Sequence, residues 1–362
     1  MEKPVIDIDF FAVLAKRVAS KNYCRQSIEA GIEVLNFARQ LFPEDQERFD
    51  FEVGHLLLRI CDFKTQLRIL HRERMHTLWG AYTLRYKKPM WDGKPEVGKT
   101  ILMVGEGGIG DEFFTSKYSH TYHQHGMKTI FATNYTSSID VLKRIKTIDK
   151  VIHIKEVSEF EDYDYWIPAG ESPLAFDYDV SDMPTHQYMY PLDEYVEKWK
   201  TIIPKSNKLK VGVRWCGNKD YEVNAKTIVP FSFFDELTSI PNVEVYSLQR
   251  DEGVEDITPD SKVIPLHDKL ETWDDTIAAM SQLDLVISSS TSLPIVSAAI
   301  NKPTWAVLPL FSYCLWLGEE TKSYWFGDIA KLYRQQTVDN WQEPFERLKD
   351  DLNELAKKFN CI

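Results

Sequence analysis

The sequence predicts an α/β protein in which two doubly wound parallel-sheet units face each other behind an all-helical N-terminal region. Three observations predict it. Residues 1 to about 88 read as helices only, with apolar side chains recurring at three- and four-residue spacing. From Lys99 onward, short apolar runs alternate with helical patterns. After a proline-rich stretch the same alternation restarts near Leu209 and continues to the C-terminal region.

In the first region FAVLAKRV, SIEAGIEVLNFARQLF and FEVGHLLLRICDF read as amphipathic helices, and Pro43 with Glu44 and Asp45 marks a helix start. These helix–turn–helix lengths fit either degenerate helical repeats or a plain helical subdomain. The polar segment KKPMWDGKPEVG, with Pro89, Gly93, Pro95 and Gly98, is the first boundary. Beyond it KTILMVGEGG is a strand, DEFFTSKYSHTYHQHG a helix, MKTIFATN a strand, SSIDVLKRI a helix and KVIHIKE a strand, with YDYWIPAG as a fourth strand. The stretch from Glu171 to about Asn207 holds four prolines and reads as loop-rich. Then LKVGVRWCGN, VEVYSLQ, SKVIPL, LDLVISSS and KPTWAVLPL are strands, separated by the helical segments SFFDELTSI, TWDDTIAAMSQL and TSLPIVSAAI. A long amphipathic helix from about Gln342 to Phe359 follows. The expected divisions are 1–88, 97–205, 206–341 and 342–362. In paired units of this kind, ligands sit beyond the carboxyl ends of the strands, in the cleft between the units.

Composition narrows the classes. With 43% hydrophobic and 27% charged residues the chain can build a substantial core. A net charge of −12 argues against nucleic acid as the main partner, because phosphate backbones demand clustered Lys and Arg. No run approaches the ~18 apolar residues of a membrane span, and the N-terminus lacks the apolar stretch of a signal peptide. Five scattered cysteines without a C-x-x-C pair fit free thiols and a cytoplasmic protein, and offer no zinc site.

The run GEGGIGDEFF, Gly105 to Phe114, satisfies G-x-G-x-x-G. A dinucleotide site would also need an acid at the end of the second strand to bind the ribose. Met127 to Ser138 contains neither Asp nor Glu, so the fingerprint is incomplete. Gly107, Gly108 and Gly110 still allow a tight turn and close approach of a ligand. Asp111 then opens a helix. It reads either as an N-terminal cap or as a cleft-facing carboxylate that takes a proton from an incoming hydroxyl. In the second half Arg214 and Lys226 supply two cations for a diphosphate. Ser290, Thr291 and Ser292 supply hydroxyls at a helix N-terminus, an anion site in which at least one of them is also a cap. Trp273 reads as core and Asp274 or Asp275 as caps. His120 and His123, with His125 nearby, lack the intervening carboxylate of a metalloprotease-type pair.

These pieces resemble a known arrangement. YTLRYKKPMWDGKPEVGKTILMVGEGGIGDEF is similar to the junction in proteins that fuse tetratricopeptide-type helices to a glycosyltransferase, whose glycine motif is close to E-Q-G-x-G-D. The similarity continues in order through YWIPAGESPL, VGVRWCGN, Lys226–Thr227, SLQ, WDDT, LDLVISSSTS, NKPTWAVLP and LYRQ to Asn340–Trp341, covering roughly Tyr82 to Trp341. The family is similar to the family 9 heptosyltransferases and, more distantly, to O-linked N-acetylglucosamine transferase. The resemblance implies a GT-B fold with two Rossmann-like units, the first for the acceptor and the second for a nucleotide-sugar co-substrate. It also implies inverting transfer to a glycan, lipid or protein acceptor, with no catalytic metal and no cofactor, and a C-terminal helix that crosses back to the N-terminal unit. Asp111 would then be the general base. Arg214, Lys226, Thr227, Gln249, Trp273, Asp275, Thr276, Ser290, Thr291 and Ser292 would hold the donor, and the N-terminal helices would offer a surface for a protein partner. Two departures stand out. The family carries Asp or Cys where this chain has Ser290, and a donor-facing His where it has Ile295. The second favours the rival reading, a degenerate transferase acting as a scaffold.

Overall fold

The computed structural model describes residues 7–20, 25–57, 60, 62–76, 81, 84–217, 228–310, 312, 314–316, 321–337 and 339–359. Four helices come first: α1 (Ile8–Ser20), α2 (Arg25–Leu41), α3 (Gln46–Leu57) and α4 (Phe63–His76). Phe11, Ala15, Ile28, Leu35, Phe49 and Leu56 form their shared core. Gly31 lets α1 and α2 approach closely, since a Cβ there would lie 2.7 Å from the Ala15 carbonyl. This region does not stand apart from the rest. At the start of α4, Phe63 packs its edge on Trp325 at 5.4 Å, and Lys64 pairs with Asp177 at 3.1 Å.

The first sheet is wholly parallel, in the order β3-β2-β1-β4, from β1 (Thr100–Val104), β2 (Lys128–Thr133), β3 (Lys150–His153) and β4 (Tyr165–Pro168). The predicted helix after β1 is two helices, α5 (Ile109–Ser116) and α6 (Ser119–Gln124); α7 (Ile139–Lys143) follows β2. The stretch expected to be loop-rich contains α8 (Ser172–Ala175) and α9 (Asp193–Ile202). α9 was hidden by the flanking prolines. Its acidic first turn and buried Trp199 are ordinary helix features.

The second sheet has the order β10-β11-β9-β8-β5-β6-β7. Its strands are β5 (Leu209–Arg214), β6 (Val243–Ser247), β7 (Ile264–Pro265), β8 (Leu285–Ser289), β9 (Thr304–Leu308), β10 (Lys322–Ser323) and β11 (Gly327–Arg334). All neighbouring pairs are parallel except β10 with β11, an edge hairpin absent from the sequence reading. Helices α10 (Phe231–Asp235), α11 (Trp273–Ser281), α12 (Ser292–Ala299) and α13 (Gln342–Phe359) complete this half. No helix of the described residues is long and apolar enough to cross a membrane.

The expectation that α13 crosses back to the N-terminal unit is corrected. Its apolar stripe, Phe345, Leu348, Leu352 and Ala356, is buried in the core of the second sheet. Phe345 meets Phe233 at 4.9 Å and Phe234 at 5.1 Å, and Asp351 accepts from Lys331 and Tyr333, each at 2.7 Å. Helix α10 offers the aromatic side chains and β11 the polar partners, so the stripe is covered without a crossing.

The two halves share one apolar cluster, running from Phe113, Phe114 and Tyr118 through Leu293, Ile295 and Val296 to Trp316, Trp325 and Phe326. Lys117 is buried within it. Its Nζ donates to the Trp325 carbonyl at 2.7 Å and lies 4.3 Å from the centre of the Phe114 ring; burial drives its pKa well down. A polar latch ties α9 to α11. Asp275 caps α11 through Thr272 and accepts from Lys198 Nζ at 2.7 Å and Trp199 Nε1 at 3.0 Å. Burial opposes its ionisation, but the bonds from Lys198 and Trp199 win and hold the carboxyl below its usual 3.8. A depressed carboxylate pKa stabilises the fold above the unfolded value and loses that contribution as pH falls through the folded one. Asp275→Asn should therefore lower Tm at neutral pH and flatten the fall in Tm below about pH 4. Melting curves across that range check this; an unchanged acid limb would remove the latch from the account.

Candidate functional site

The site is built where β1 and β8 end and their following helices begin. β1 is buried from Ile101 onward and stops at Val104. The glycines then turn the chain into α5. Gly107 has φ +74°, and a Cβ on it would fall 2.6 Å from Asp111 Oδ2. The Gly108 N–H donates to that oxygen at 2.7 Å, while the Asp111 N–H donates to the Gly108 carbonyl at 2.9 Å. Asp111 is thus a cap in this geometry, and it remains half-buried. Capping does not exclude chemistry, since the carboxylate stays within reach of solvent.

On the other side Thr291 caps α12, its Oγ1 accepting from the Leu293 N–H at 3.3 Å. Ser288 Oγ lies 3.2 Å from Thr291 Oγ1 and donates to the Ser289 carbonyl at 3.0 Å. Ser290, Thr291 and Ser292 are half-buried. The Ser289 hydroxyl is wholly buried and has no hydrogen-bond partner among the described residues. Arg214 ends β5 directly beside Ser288 in the parallel register. Its Nε donates to the Cys216 carbonyl at 3.1 Å. Burial lowers the Arg214 pKa, with Asp251 acting in the opposite direction, but a guanidinium remains a cation.

The two helix starts touch. A Cβ on Gly110 would lie 2.9 Å from Ser292 Cα, 3.0 Å from Ser292 Cβ and 3.1 Å from Ile295 Cδ1. Two N-terminal helix ends, each with unpaired N–H groups and partial positive charge, therefore meet on one seam. Asp111, Thr291, Ser292 and, through Ser288, Arg214 gather around it. Ile295 sits on that seam as an apolar plug, 3% exposed.

Other expected donor residues are placed differently. Gln249 is fully buried: its Oε1 accepts from the Trp215 and Cys216 N–H groups at 3.3 and 3.1 Å, and its Nε2 donates to the Cys216 and Glu252 carbonyls. It clamps the loop after β5 and has no amide group left for a nucleobase. Trp273 packs edge-on against Phe113 at 5.0 Å. Asp275 is spent on the latch, and Thr276 Oγ1 donates to the Thr272 carbonyl at 3.1 Å. The TWDDT segment joins the two halves, with Asp274 paired to Arg144. Lys226 and Thr227 lie outside the described residues.

Among the described residues no group of three or more His, Cys, Asp and Glu is arranged for a metal ion. His120 packs at a tilt against His186 at 4.1 Å and His125 stacks on Phe176 at 5.5 Å. A groove of about 780 Å³ lies away from the seam, in the helical region, lined by Arg25, Glu29, Ile32, Glu33, Leu57, Ile60 and Asp62. It brings no residue of either sheet. Sequence reasoning missed Glu112, which follows Asp111 and is buried against Thr133 and Asn134 at the end of β2. The signal was the strand end itself, which has donors where a dinucleotide site has an acid.

No family model matches the chain. Protein FlbA of Caulobacter vibrioides is 20% identical over 336 residues, which is 83% of this chain and 56% of that protein, so the chain spans little more than half its length. Among solved structures, E. coli ADP-heptose LPS heptosyltransferase II is similar with a TM-score of 0.51 at 12% identity, over 72% of this chain and 99% of that one. A family 9 glycosyltransferase from Veillonella parvula is similar with a TM-score of 0.53 at 10% identity, over 75% of this chain and 99% of that one. At these identities the likeness speaks for architecture, and with the two parallel sheets and their meeting helix ends it gives this chain the GT-B fold of glycosyltransferases.

Proposed function

We propose that the chain is a metal-independent inverting glycosyltransferase that moves a sugar from a nucleotide-sugar donor to an acceptor hydroxyl on a glycan, lipid or protein. The observation that carries this reading is the seam where α5 and α12 begin, with Asp111 on one side and Arg214, Thr291 and Ser292 on the other. In one displacement the acceptor oxygen attacks the anomeric carbon and the bond to the diphosphate oxygen breaks from the opposite face. The acceptor proton passes to Asp111. Arg214, with Lys226, neutralises the departing nucleoside diphosphate, and the α12 N-terminus with Thr291 and Ser292 holds its phosphates. Fixed cations and helix ends supply the stabilisation that a metal gives elsewhere. Gln249, Asp275 and Thr276 shape the loops around the donor, and Trp273 joins the halves. The N-terminal helices, which resemble tetratricopeptide repeats, offer a face for a protein partner. The cysteine pattern supports a cytoplasmic setting.

A second reading, a degenerate transferase serving as a scaffold, is favoured by Ile295. It fills with an apolar side chain the position where the resembling family carries a donor-facing His. One screen separates the two. In the presence of a chelator, UDP, GDP, ADP and CDP are tested for a rise in Tm; a bound nucleotide adds about 2.7 kcal/mol at a hundredfold excess over Kd. One of the four is expected to stabilise the wild type. In Arg214→Ala its affinity should fall by about 1.5–3 kcal/mol, the loss of a charged hydrogen bond. Failure of all four, or binding abolished by the chelator, would overturn the donor assignment. Binding without turnover would favour the scaffold.

A further inference from the structure

Glu112 is the residue after Asp111 and is turned about 100° from it around α5. It is 0% exposed, yet every group that meets its carboxylate is a donor. Thr133 Oγ1 donates to one oxygen; the Asn134 N–H and Asn134 Nδ2 each donate to the other at 2.8 Å. Burial pushes the carboxyl above its usual value, and the bonds from Thr133 and Asn134 pull against that shift. The same strand end holds the glycine loop. Asn134 Nδ2 also donates to the Gly105 carbonyl at 3.0 Å, and the Tyr135 hydroxyl donates to the Gly107 carbonyl at 3.0 Å. A Cβ on Gly105 would lie 2.7 Å from Glu112 Oε1, so the buried acid leaves room only for a glycine there.

We propose that Glu112 is a positioning residue for Asp111: through Thr133 and Asn134 it pins the first turn of α5 and the glycine loop to the end of β2, which fixes where the Asp111 carboxylate stands. The kinetic part of this inference rests on the reading of Asp111 as the base; the geometric part does not. Glu112→Gln keeps the shape but replaces the charged acceptor with a neutral amide: its oxygen can still accept from Asn134, while its N–H₂ must reverse the bond with Thr133, whose hydroxyl then donates elsewhere, so the charge-assisted bonds are weakened.

The Gly108 amide, bonded to Asp111 Oδ2 at 2.7 Å, reports the placement of Asp111. The full chain labelled with ¹⁵N at glycine alone gives only 16 glycine signals to follow. In Glu112→Gln the Gly105 and Gly108 signals should move and the Gly108 amide should exchange about tenfold faster, the effect of one weakened hydrogen bond. The distant Gly31 and Gly327 signals should hold. Release of nucleoside diphosphate from the sugar-linked form of the nucleotide that the thermal screen selects should fall roughly 10- to 100-fold in kcat with KM unchanged, as for a displaced catalytic group. Asn134→Ala, a change at an exposed residue, should move the same two signals and serves if Glu112→Gln does not fold. A Gly108 amide that stays put in both variants overturns the proposal. If Asp111→Asn turns over as the wild type does while Gly108 still responds, the base reading fails and the positioning of Asp111 stands.

Discussion

Asp111→Asn should fold as the wild type does, bind the donor nucleotide nearly as well, and lose roughly 10²–10⁴-fold in transfer, the range for a missing general base. The structure explains why the fold survives. Asp111 Oδ2 accepts from the Gly108 N–H at 2.7 Å, and an amide oxygen can take the same bond. Asp111→Ala removes that acceptor, and Tm should fall by the equivalent of about 1 kcal/mol, the typical worth of a cap. Initial rates and melting curves of the two variants together separate proton transfer from capping. If Asn transfers at the wild-type rate while Ala melts early, Asp111 is a cap and nothing more.

Gly110→Ala should have the next largest effect. Alanine is the better helix former by about 0.5–1 kcal/mol. Against that, its Cβ would sit 2.9 Å from Ser292 Cα, a backbone atom that cannot rotate aside. Overpacking of this kind costs about 1–3 kcal/mol, so the clash outweighs the propensity and the variant is destabilised. To relieve it α5 and α12 must move apart, and a shift approaching 1 Å in reacting groups costs roughly 10²-fold in rate. Gly108→Ala is the control for stability: φ there is −80°, and the added Cβ would meet only Asp111 Oδ2 at 3.4 Å. Melting and transfer assays of both variants check this. A Gly110→Ala protein with wild-type Tm and rate would mean that the two helix starts do not touch.

Much of this fold was legible because local patterns decide it. Buried strands such as TILMV and LVISS, each followed by a turn and a helix, announce the parallel sheets. The glycines before Asp111 announce the tight turn, confirmed by the positive φ of Gly107. What failed depends on partners distant in sequence. The stripe on α13 says that the helix is covered, but only Phe233 and Phe234 say by what. The cap reading of Asp275 holds through Thr272, but the remaining partners of Asp275 and those of Gln249 were not legible. A sequence does not show an amide folding back on Trp215 and Cys216, or a carboxylate claimed by Lys198 and Trp199. Glu112 was overlooked for the related reason that burial of a charge becomes plausible only once its donors, Thr133 and Asn134, are in place.

The central claim is that a nucleotide binds where α5 and α12 begin. Hydrogen–deuterium exchange of the wild-type chain, alone and with each of UDP, GDP, ADP and CDP, tests it most directly. One nucleotide should slow exchange at the amides of residues 105–112 and 288–293 together, since both helix starts would face the same ligand. Protection confined to the helical region around Arg25 to Asp62, or none with any of the four, would contradict it.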